Sequence, residues 1–155
     1  MKSDSHNSAS LNVLLIGNNP MELGAVLEHL KQVRTQKIII EIAFDLKGII
    51  ERLVVFKPNF IFIDDNIGRV ELRETVKRLS SNRKTKHIPI TVLKTSNYHE
   101  AVESGSILDY LLKQNLSADA LYNTVKNSLR FQKTQQYLQK IYQKKRKTEL
   151  VRFSY

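Results

Sequence analysis

The chain has 155 residues, no cysteine and a formal net charge of +10. This length suits one domain with its own core and is too short for two full domains. The lack of cysteine excludes disulfide frameworks and thiolate sites, and no apolar stretch is long enough for a signal peptide or a membrane span. We therefore expect a soluble cytoplasmic protein of one domain with appendages.

The predicted elements alternate between strands and helices along the chain, after a polar leader, residues 1–10, that we expect to be disordered. Short runs rich in β-branched and aromatic residues predict strands, and longer segments with apolar residues at helical spacing predict helices. Pro20 suits a first helical position, and Asp45 and Ser117 are capping residues. The predicted strands are residues 12–16, 37–43, 59–64, 88–93 and 107–112, and the predicted helices are residues 20–33, 46–56, 70–79 and 118 to about 147.

The fold class follows from this alternation. The first and third runs, "NVLLI" and "NFIFID", lack polar alternation, which is typical of strands buried on both faces of a parallel sheet. The pattern predicts an α/β fold, a (βα)5 doubly wound parallel sheet of five strands in the flavodoxin-like class.

Ligands of such sheets bind beyond the carboxyl ends of the strands, near the point where the strand order reverses. The residues that end neighbouring strands should therefore be considered together as one pocket. They are Gly17 and Asn18 after the first strand, Asp64 and the nearby Asn66 at the third, Lys94 and Thr95 at the fourth, and Lys113 after the fifth.

Three segments of the chain resemble a known family. They are "KPNFIFIDDN", "KHIPITVLKT" and "SGSILDYLLKQNLSADAL", and through them residues 11–130 resemble the receiver domain of two-component response regulators. The resemblance implies that Asp64 stands at the phospho-acceptor position and that the Lys113 ammonium contacts it and its phosphoryl group. It also implies a protein partner, such as a histidine kinase or another signalling protein. Asp65 has no implied role, and we expect a solvated loop acid.

The chain departs from the family at the metal site. Where the family has a pair of acidic residues after the first strand, this sequence has Gly17 and Asn18. Magnesium prefers charged carboxylate oxygens in octahedral geometry, and glycine offers no side-chain ligand. We therefore expect weak or absent Mg²⁺ binding, no other cofactor or metal, and a degenerate receiver, or pseudo-receiver.

Further departures affect the switch and the loops. Lys94 replaces the family's Ser/Thr hydroxyl, and Gly68 and Gln114 stand where prolines are usual. Two interpretations of Lys94 are open: its ammonium replaces the metal beside Asp64, or it points into solvent. Thr95 would face the opposite side of a continuing strand, so we do not expect it to replace the hydroxyl.

No sequence pattern indicates catalysis. The loop "GNNPMELG" has neither a dinucleotide fingerprint nor a P-loop lysine, and no histidine lies at ligand spacing from another. An α/β sheet does not by itself imply an enzyme. We expect a non-enzymatic protein.

The C-terminal extension, residues 131–155, is predicted to be helical and basic. Residues 126–155 hold nine Lys/Arg and one acid, and Phe131, Leu138, Ile141 and Tyr142 recur at roughly helical spacing. The extension is a solvated end, a helix that pairs in a homodimer, or a contact for nucleic acid or another polyanion. Membrane association is not expected, because the apolar face is thin and lacks Trp. The candidate contacts are Lys133, Lys140, Lys144, Lys145, Arg146 and Lys147.

Together these features predict a receiver-like signal-transduction domain that acts through protein–protein interaction, without ordinary Mg²⁺-dependent phosphorylation. One alternative is a phospho-accepting response regulator in a phosphorelay. Another is a nucleic-acid-binding regulator that uses the basic tail.

Overall fold

The computed structural model describes residues 10–95 and 107–152, which form one parallel sheet with helices on both faces. The strand order is β2-β1-β3-β4-β5, with all neighbouring strands parallel. This confirms the predicted flavodoxin-like sheet. The predicted leader, residues 1–10, lies almost wholly outside the described residues, as does the glycine-containing turn before β5. The strands are β1 Leu11–Ile16, β2 Ile38–Ala43, β3 Phe60–Asp64, β4 Ile90–Lys94 and β5 Ile107–Leu112.

The described helices begin at the predicted signals. Pro20 opens the first helix, and the Asp45 carboxylate accepts a hydrogen bond from the Gly48 N–H at 2.7 Å. The Ser117 hydroxyl accepts one from the Ala120 N–H at 3.0 Å, so both predicted caps are confirmed. The helices are α1 Pro20–Lys31, α2 Leu46–Val55, α3 Arg69–Ser81 and α4 Ala118–Arg152, and single 3₁₀ turns span Asp65–Ile67 and Lys113–Asn115.

Among the strands, β4 has the bounds that differ most from the prediction. The expected start at Ile88 is wrong by two residues, because the Ile88 N–H donates to the Thr85 carbonyl at 2.9 Å in a turn. The strand instead begins at Ile90 and extends to Lys94. Lys94 is therefore the last strand residue, and Thr95 is the first residue beyond it.

Side chains of the central strands alternate between two apolar layers. Val13 and Leu15 of β1 pack with α1 and α4, whereas Leu14 and Ile16 pack with α2 and α3. All four are at most 1% exposed, which explains why the β1 sequence has no polar alternation. Burial on both faces fixes the strand register, and hence the positions at which the strands end.

Helix α4 has a packed part and a projecting part. Leu121 and Val125 are fully buried against the sheet, but every residue from Lys133 to Thr148 is exposed. The helix continues without a break across residue 130, where we placed the boundary of the extension, and runs beyond the predicted end near Lys147. None of the described helices is long and apolar enough to cross a membrane.

Candidate functional site: a carboxylate cluster around Lys113

The end of β3 places a carboxylate in the interior. Asp64 is 1% exposed, and its Oδ1 accepts hydrogen bonds from the Asn66 N–H at 2.9 Å and from the Lys113 ammonium at 2.6 Å. Its other oxygen, Oδ2, is buried and has no hydrogen-bond partner among the residues that the structure describes. A buried charge needs a partner, and Lys113 supplies it.

Lys113 is the centre of the site. It follows β5 directly and opens a 3₁₀ turn, and its side chain is 15% exposed. Its Nζ contacts three carboxylates, one from the first turn of α1 and two from the consecutive residues at the end of β3. The distances are 2.6 Å to Asp64, 2.9 Å to Glu22 and 3.4 Å to Asp65.

Glu22 reaches the site from the first turn of α1. The Asn19 side chain caps this helix by accepting from the Met21 N–H at 3.0 Å, and Pro20 occupies its first turn. An acid in the first turn of a helix is favoured by the helix dipole. The Asn66 side-chain amide donates to the Glu22 carboxylate, which ties α1 to the loop after β3.

Asp65 is a connecting residue, and our expectation of a solvated loop acid is wrong. Its carboxylate accepts from the Thr95 N–H at 2.9 Å and from the Thr95 hydroxyl at 2.7 Å. With the ion pair to Lys113, Asp65 joins the ends of β3, β4 and β5. Thr95 thus binds a carboxylate of the protein itself.

Burial and hydrogen bonds together shift the pKa values of Asp64 and Lys113. Burial raises the pKa of Asp64 because the charged form loses water, and the hydrogen bonds from Lys113 and Asn66 offset only part of this effect. Burial alone would lower the pKa of Lys113, but its hydrogen bonds to Asp64 and Glu22 outweigh that effect and the pKa is raised. Lys113 is therefore held in its charged form.

The space beside Asp64 is filled by an apolar side chain. A Cβ at Gly17 would lie 2.6 Å from Leu23 Cδ2 and 3.2 Å from Asp64 Cβ. Leu23 is 2% exposed, so any larger residue at position 17 displaces a core side chain. The neighbouring Asn18 is exposed.

The receiver resemblance implies a divalent cation here, and the residues do not fit one. Among the described residues no group of three His, Cys, Asp or Glu side chains is arranged to hold a metal ion. The three carboxylates of the site converge on the Lys113 ammonium, and Leu23 packs against Gly17, one of the two positions at which the family has acids. A Mg²⁺ ion in this pocket would compete with the lysine for the same oxygens.

Lys94 lies on the other side of the sheet. Asp64 pairs with Leu93 in the β3–β4 register, so strand alternation directs Lys94 to the opposite face. Its Nζ stands over the Tyr110 ring, 4.7 Å from the centroid. This position argues against the interpretation in which Lys94 replaces the metal, and it also differs from a lysine that simply points into solvent.

The two loop positions that usually carry proline also differ. Gly68 has a φ of 99° at the start of α3, a value that proline cannot adopt. Gln114 lies in the 3₁₀ turn after β5. The six basic residues predicted for partner contact are all exposed on α4 and do not join the pocket.

Comparison with known proteins adds the final observation. No protein-family model matches the sequence, and no curated protein matches it. Solved structures do match. The signal receiver domain of an HD-domain-containing protein from Pseudomonas fluorescens Pf-5 has a TM-score of 0.67 and 14% identity, with 81% of this chain and 98% of that chain covered. The chain has the receiver fold.

Two further receiver structures agree with this conclusion. The chemotaxis response regulator CheY4 of Vibrio cholerae has a TM-score of 0.61 and 19% identity over 77% of this chain and 98% of its own. The receiver domain of a sensor histidine kinase from Pseudomonas aeruginosa PAO1, solved with a magnesium ion in its active-site cleft, has a TM-score of 0.61 and 15% identity over 78% and 98%. In the receiver fold, Asp64 and Lys113 lie together as the sequence predicted.

Sequence reasoning missed Glu22 and Asp65. Glu22 had no signal beyond a place in the first turn of a capped helix, where its role in a distant pocket is not visible. Asp65 had one signal, its position beside a residue that ends a buried strand. A turn at this position brings it back toward the same edge of the sheet.

Proposed function

We propose that the chain is a receiver-like signalling module, and not an enzyme, that acts through protein–protein contacts. Its output does not depend on Mg²⁺-dependent phosphorylation of Asp64. The observation that carries the proposal is the Lys113 ammonium, which already pairs with Asp64 at 2.6 Å and with two more carboxylates. Phosphoryl transfer needs an accessible acceptor and neutralised equatorial oxygens, and Asp64 is 1% exposed.

The contact partner is a histidine kinase or another signalling protein. Exposed apolar side chains on the receiver body support a protein contact: Ile50 and Val54, one turn apart on α2, are 53% and 72% exposed. Receiver-fold chains occur within histidine kinases and as separate regulators, as the structural neighbours show by their names. We propose that this chain likewise transmits a signal by binding another protein.

A small phosphodonor tests the phosphorylation part of the proposal. The protein is incubated with acetyl phosphate, with and without millimolar Mg²⁺, and intact mass is recorded beside a metal-binding receiver domain as a positive control. We expect no labelling of this chain and no rise in its melting temperature with Mg²⁺, because binding to the native state alone would raise that temperature. Stoichiometric labelling that is lost in Asp64→Asn would instead establish the phospho-accepting alternative.

The projecting half of α4 supports a second candidate function. Every residue from Lys133 to Thr148 is exposed, so this part of α4 gains no stability from packing against the body. We propose that this segment contacts a second partner. This partner is either a second copy of the chain, which pairs through Leu138 and Ile141, or a polyanion, which binds the lysines.

A further inference from the structure

One face of α4 carries eight evenly spaced basic or tyrosine side chains, which we call the basic stripe. Successive members are three or four residues apart, and such positions lie on the same face of a helix. The first and last members lie 25 residues apart, or about 38 Å at the helical rise of about 1.5 Å per residue. Its members are Tyr122, Lys126, Arg130, Lys133, Tyr137, Lys140, Lys144 and Lys147.

The stripe has a uniform charge. Residues 126–148 hold eight Lys/Arg and no Asp or Glu, and six of the eight belong to the stripe. All six are exposed. Ordinary solvated helices mix acids and bases along a face, so a run without any acid favours a partner with repeated negative charges.

The stripe begins in a cleft at the amino-terminal end of the strands, away from the carboxylate cluster. The cleft has a volume of about 420 Å³ and is lined by Lys126 and Arg130 on one side and by Gln36 and Asn59 on another. The Tyr122 hydroxyl donates to Gln36 at 3.3 Å and forms part of the same wall. None of the described residues that line the cleft is acidic.

We propose that the basic stripe binds single-stranded nucleic acid. Regularly spaced cations fit a phosphate backbone, which supplies a negative charge at each nucleotide. Tyr137 stands among these cations and is 65% exposed, and an exposed aromatic ring is a platform on which a base stacks. This inference deepens the polyanion form of the second candidate function and is independent of the pocket around Asp64.

The apolar residues of the extension distinguish this ligand from an acidic protein. Phe131 and Leu138 lie on a different face of α4 from the stripe. Ile141 lies at the border of the stripe, four residues from Tyr137 and three from Lys144. Protein contacts usually have an apolar core with charges at the rim, and the stripe has no apolar side chain at its centre. A backbone of phosphates with stacked bases matches a surface of cations and tyrosines.

The charge test compares two double variants of the full chain that remove the same charge from adjacent positions. Lys140→Gln/Lys144→Gln changes the stripe, and Lys145→Gln/Arg146→Gln changes residues beside it. Binding of a labelled oligothymidylate of about 20 nucleotides is followed by fluorescence anisotropy over a salt series, with helicity checked by circular dichroism. We expect the stripe variant to bind about tenfold more weakly than wild type with a shallower salt dependence, and the control to lose less than about threefold.

The stacking test uses two tyrosines of equal exposure. Tyr137 on the stripe and Tyr142 off it are 65% and 66% exposed. We expect Tyr137→Ala to weaken binding of the single strand about fivefold or more, and Tyr142→Ala to change it little. Duplex DNA, whose bases are already stacked, should bind more weakly than the single strand and should not distinguish the two variants.

Several outcomes would overturn the proposal. They are equal losses in the two double variants, equal effects of the two tyrosine variants, or polyglutamate that competes as well as the oligonucleotide, which would favour an acidic protein. No binding at low salt would also refute it. None of these results affects labelling by acetyl phosphate. The experiments therefore distinguish failure of the nucleic-acid proposal from failure of the receiver proposal.

Discussion

The pair formed by Lys113 and Asp64 is the residue-scale feature on which the site depends. Removal of one partner of a buried ion pair leaves the other charge without compensation, at a cost of about 3 kcal/mol or more. We expect Lys113→Met to destabilise the fold by about this amount near neutral pH, as measured by urea unfolding. Lys94→Met, which removes a cation–π contact at a partly exposed position, should cost less than about 1 kcal/mol.

The cost of Lys113→Met should also depend on pH. The folded pKa of Asp64 is raised above its unfolded value, so its contribution to stability is fully present below the unfolded pKa and is lost as pH rises through the folded pKa. Without Lys113 that folded pKa rises further, because the opposing hydrogen bond is gone. The variant should therefore lose less stability at about pH 5 than at about pH 8. A penalty that does not change with pH would contradict the assignment of Asp64 as the stranded charge.

Gly17 and Gly24 give a matched pair of alanine substitutions with opposite expected signs. A Cβ at position 17 would meet Leu23 at 2.6 Å, whereas one at position 24 meets nothing within 4 Å. We expect Gly17→Ala to destabilise by about 1–2 kcal/mol through overpacking. Gly24→Ala, inside α1, should stabilise by about 0.5–1 kcal/mol. Thermal unfolding of both variants measures the difference, and a neutral Gly17→Ala would show that Leu23 moves without cost.

At the scale of elements, Asp65 connects the loops that follow β3 and β4. We expect Asp65→Ala to free the Thr95 amide, which now donates to this carboxylate at 2.9 Å, and to raise its hydrogen exchange about tenfold or more. Thr95→Val removes only the hydroxyl contact and should leave that amide protected. If exchange at position 95 is the same in wild type and in Asp65→Ala, the two loops are not held together by this residue.

The elements themselves were largely predictable from the sequence. β5 has the predicted bounds, and Asp45 and Ser117 cap helices as expected, because local signals and buried runs agree there. The meeting of Asp64 and Lys113 was predictable from the resemblance and from the rule that parallel strands end at one edge. The contact of Glu22 was not, because it depends on how α1 lies across the sheet. The face of the sheet on which Lys94 lies was not predictable either, because it depends on the register at the end of β4. A shift of one residue would move its side chain to the other face.

At the scale of the whole molecule, the body and the projecting half of α4 should behave independently. We expect a chain that lacks residues 134–155 to keep its fold and to melt within a few degrees of the full protein, because residues 134–148 of the removed segment are all exposed. The same truncation should abolish the second contact. Far-ultraviolet circular dichroism and sedimentation velocity measure both effects, and a truncated body that fails to fold would contradict the division.

Self-association is tested by one substitution on the projecting helix. If copies pair through the apolar face, Leu138→Asp should shift sedimentation from dimer to monomer, because it places a charge in an apolar seam. Tyr137→Asp, on the basic stripe, is the matched control and should leave pairing unchanged. If the wild-type chain is monomeric at all concentrations tested, pairing through α4 is excluded.

The exposed half of α4 also determines how the molecule is cut by proteases. Trypsin cleaves after Lys and Arg, and the segment from Arg130 to Lys147 offers seven such bonds in a helix that opens at little cost. A single early cleavage would separate the positive charge from a body that survives intact. We therefore expect proteases in a cell lysate to degrade the projecting half of α4 faster than the body, and a bound polyanion to slow that degradation by shielding the bonds. Limited digestion would thus yield a stable product that ends near Arg130, with the fold of the whole chain and less than half of its net positive charge.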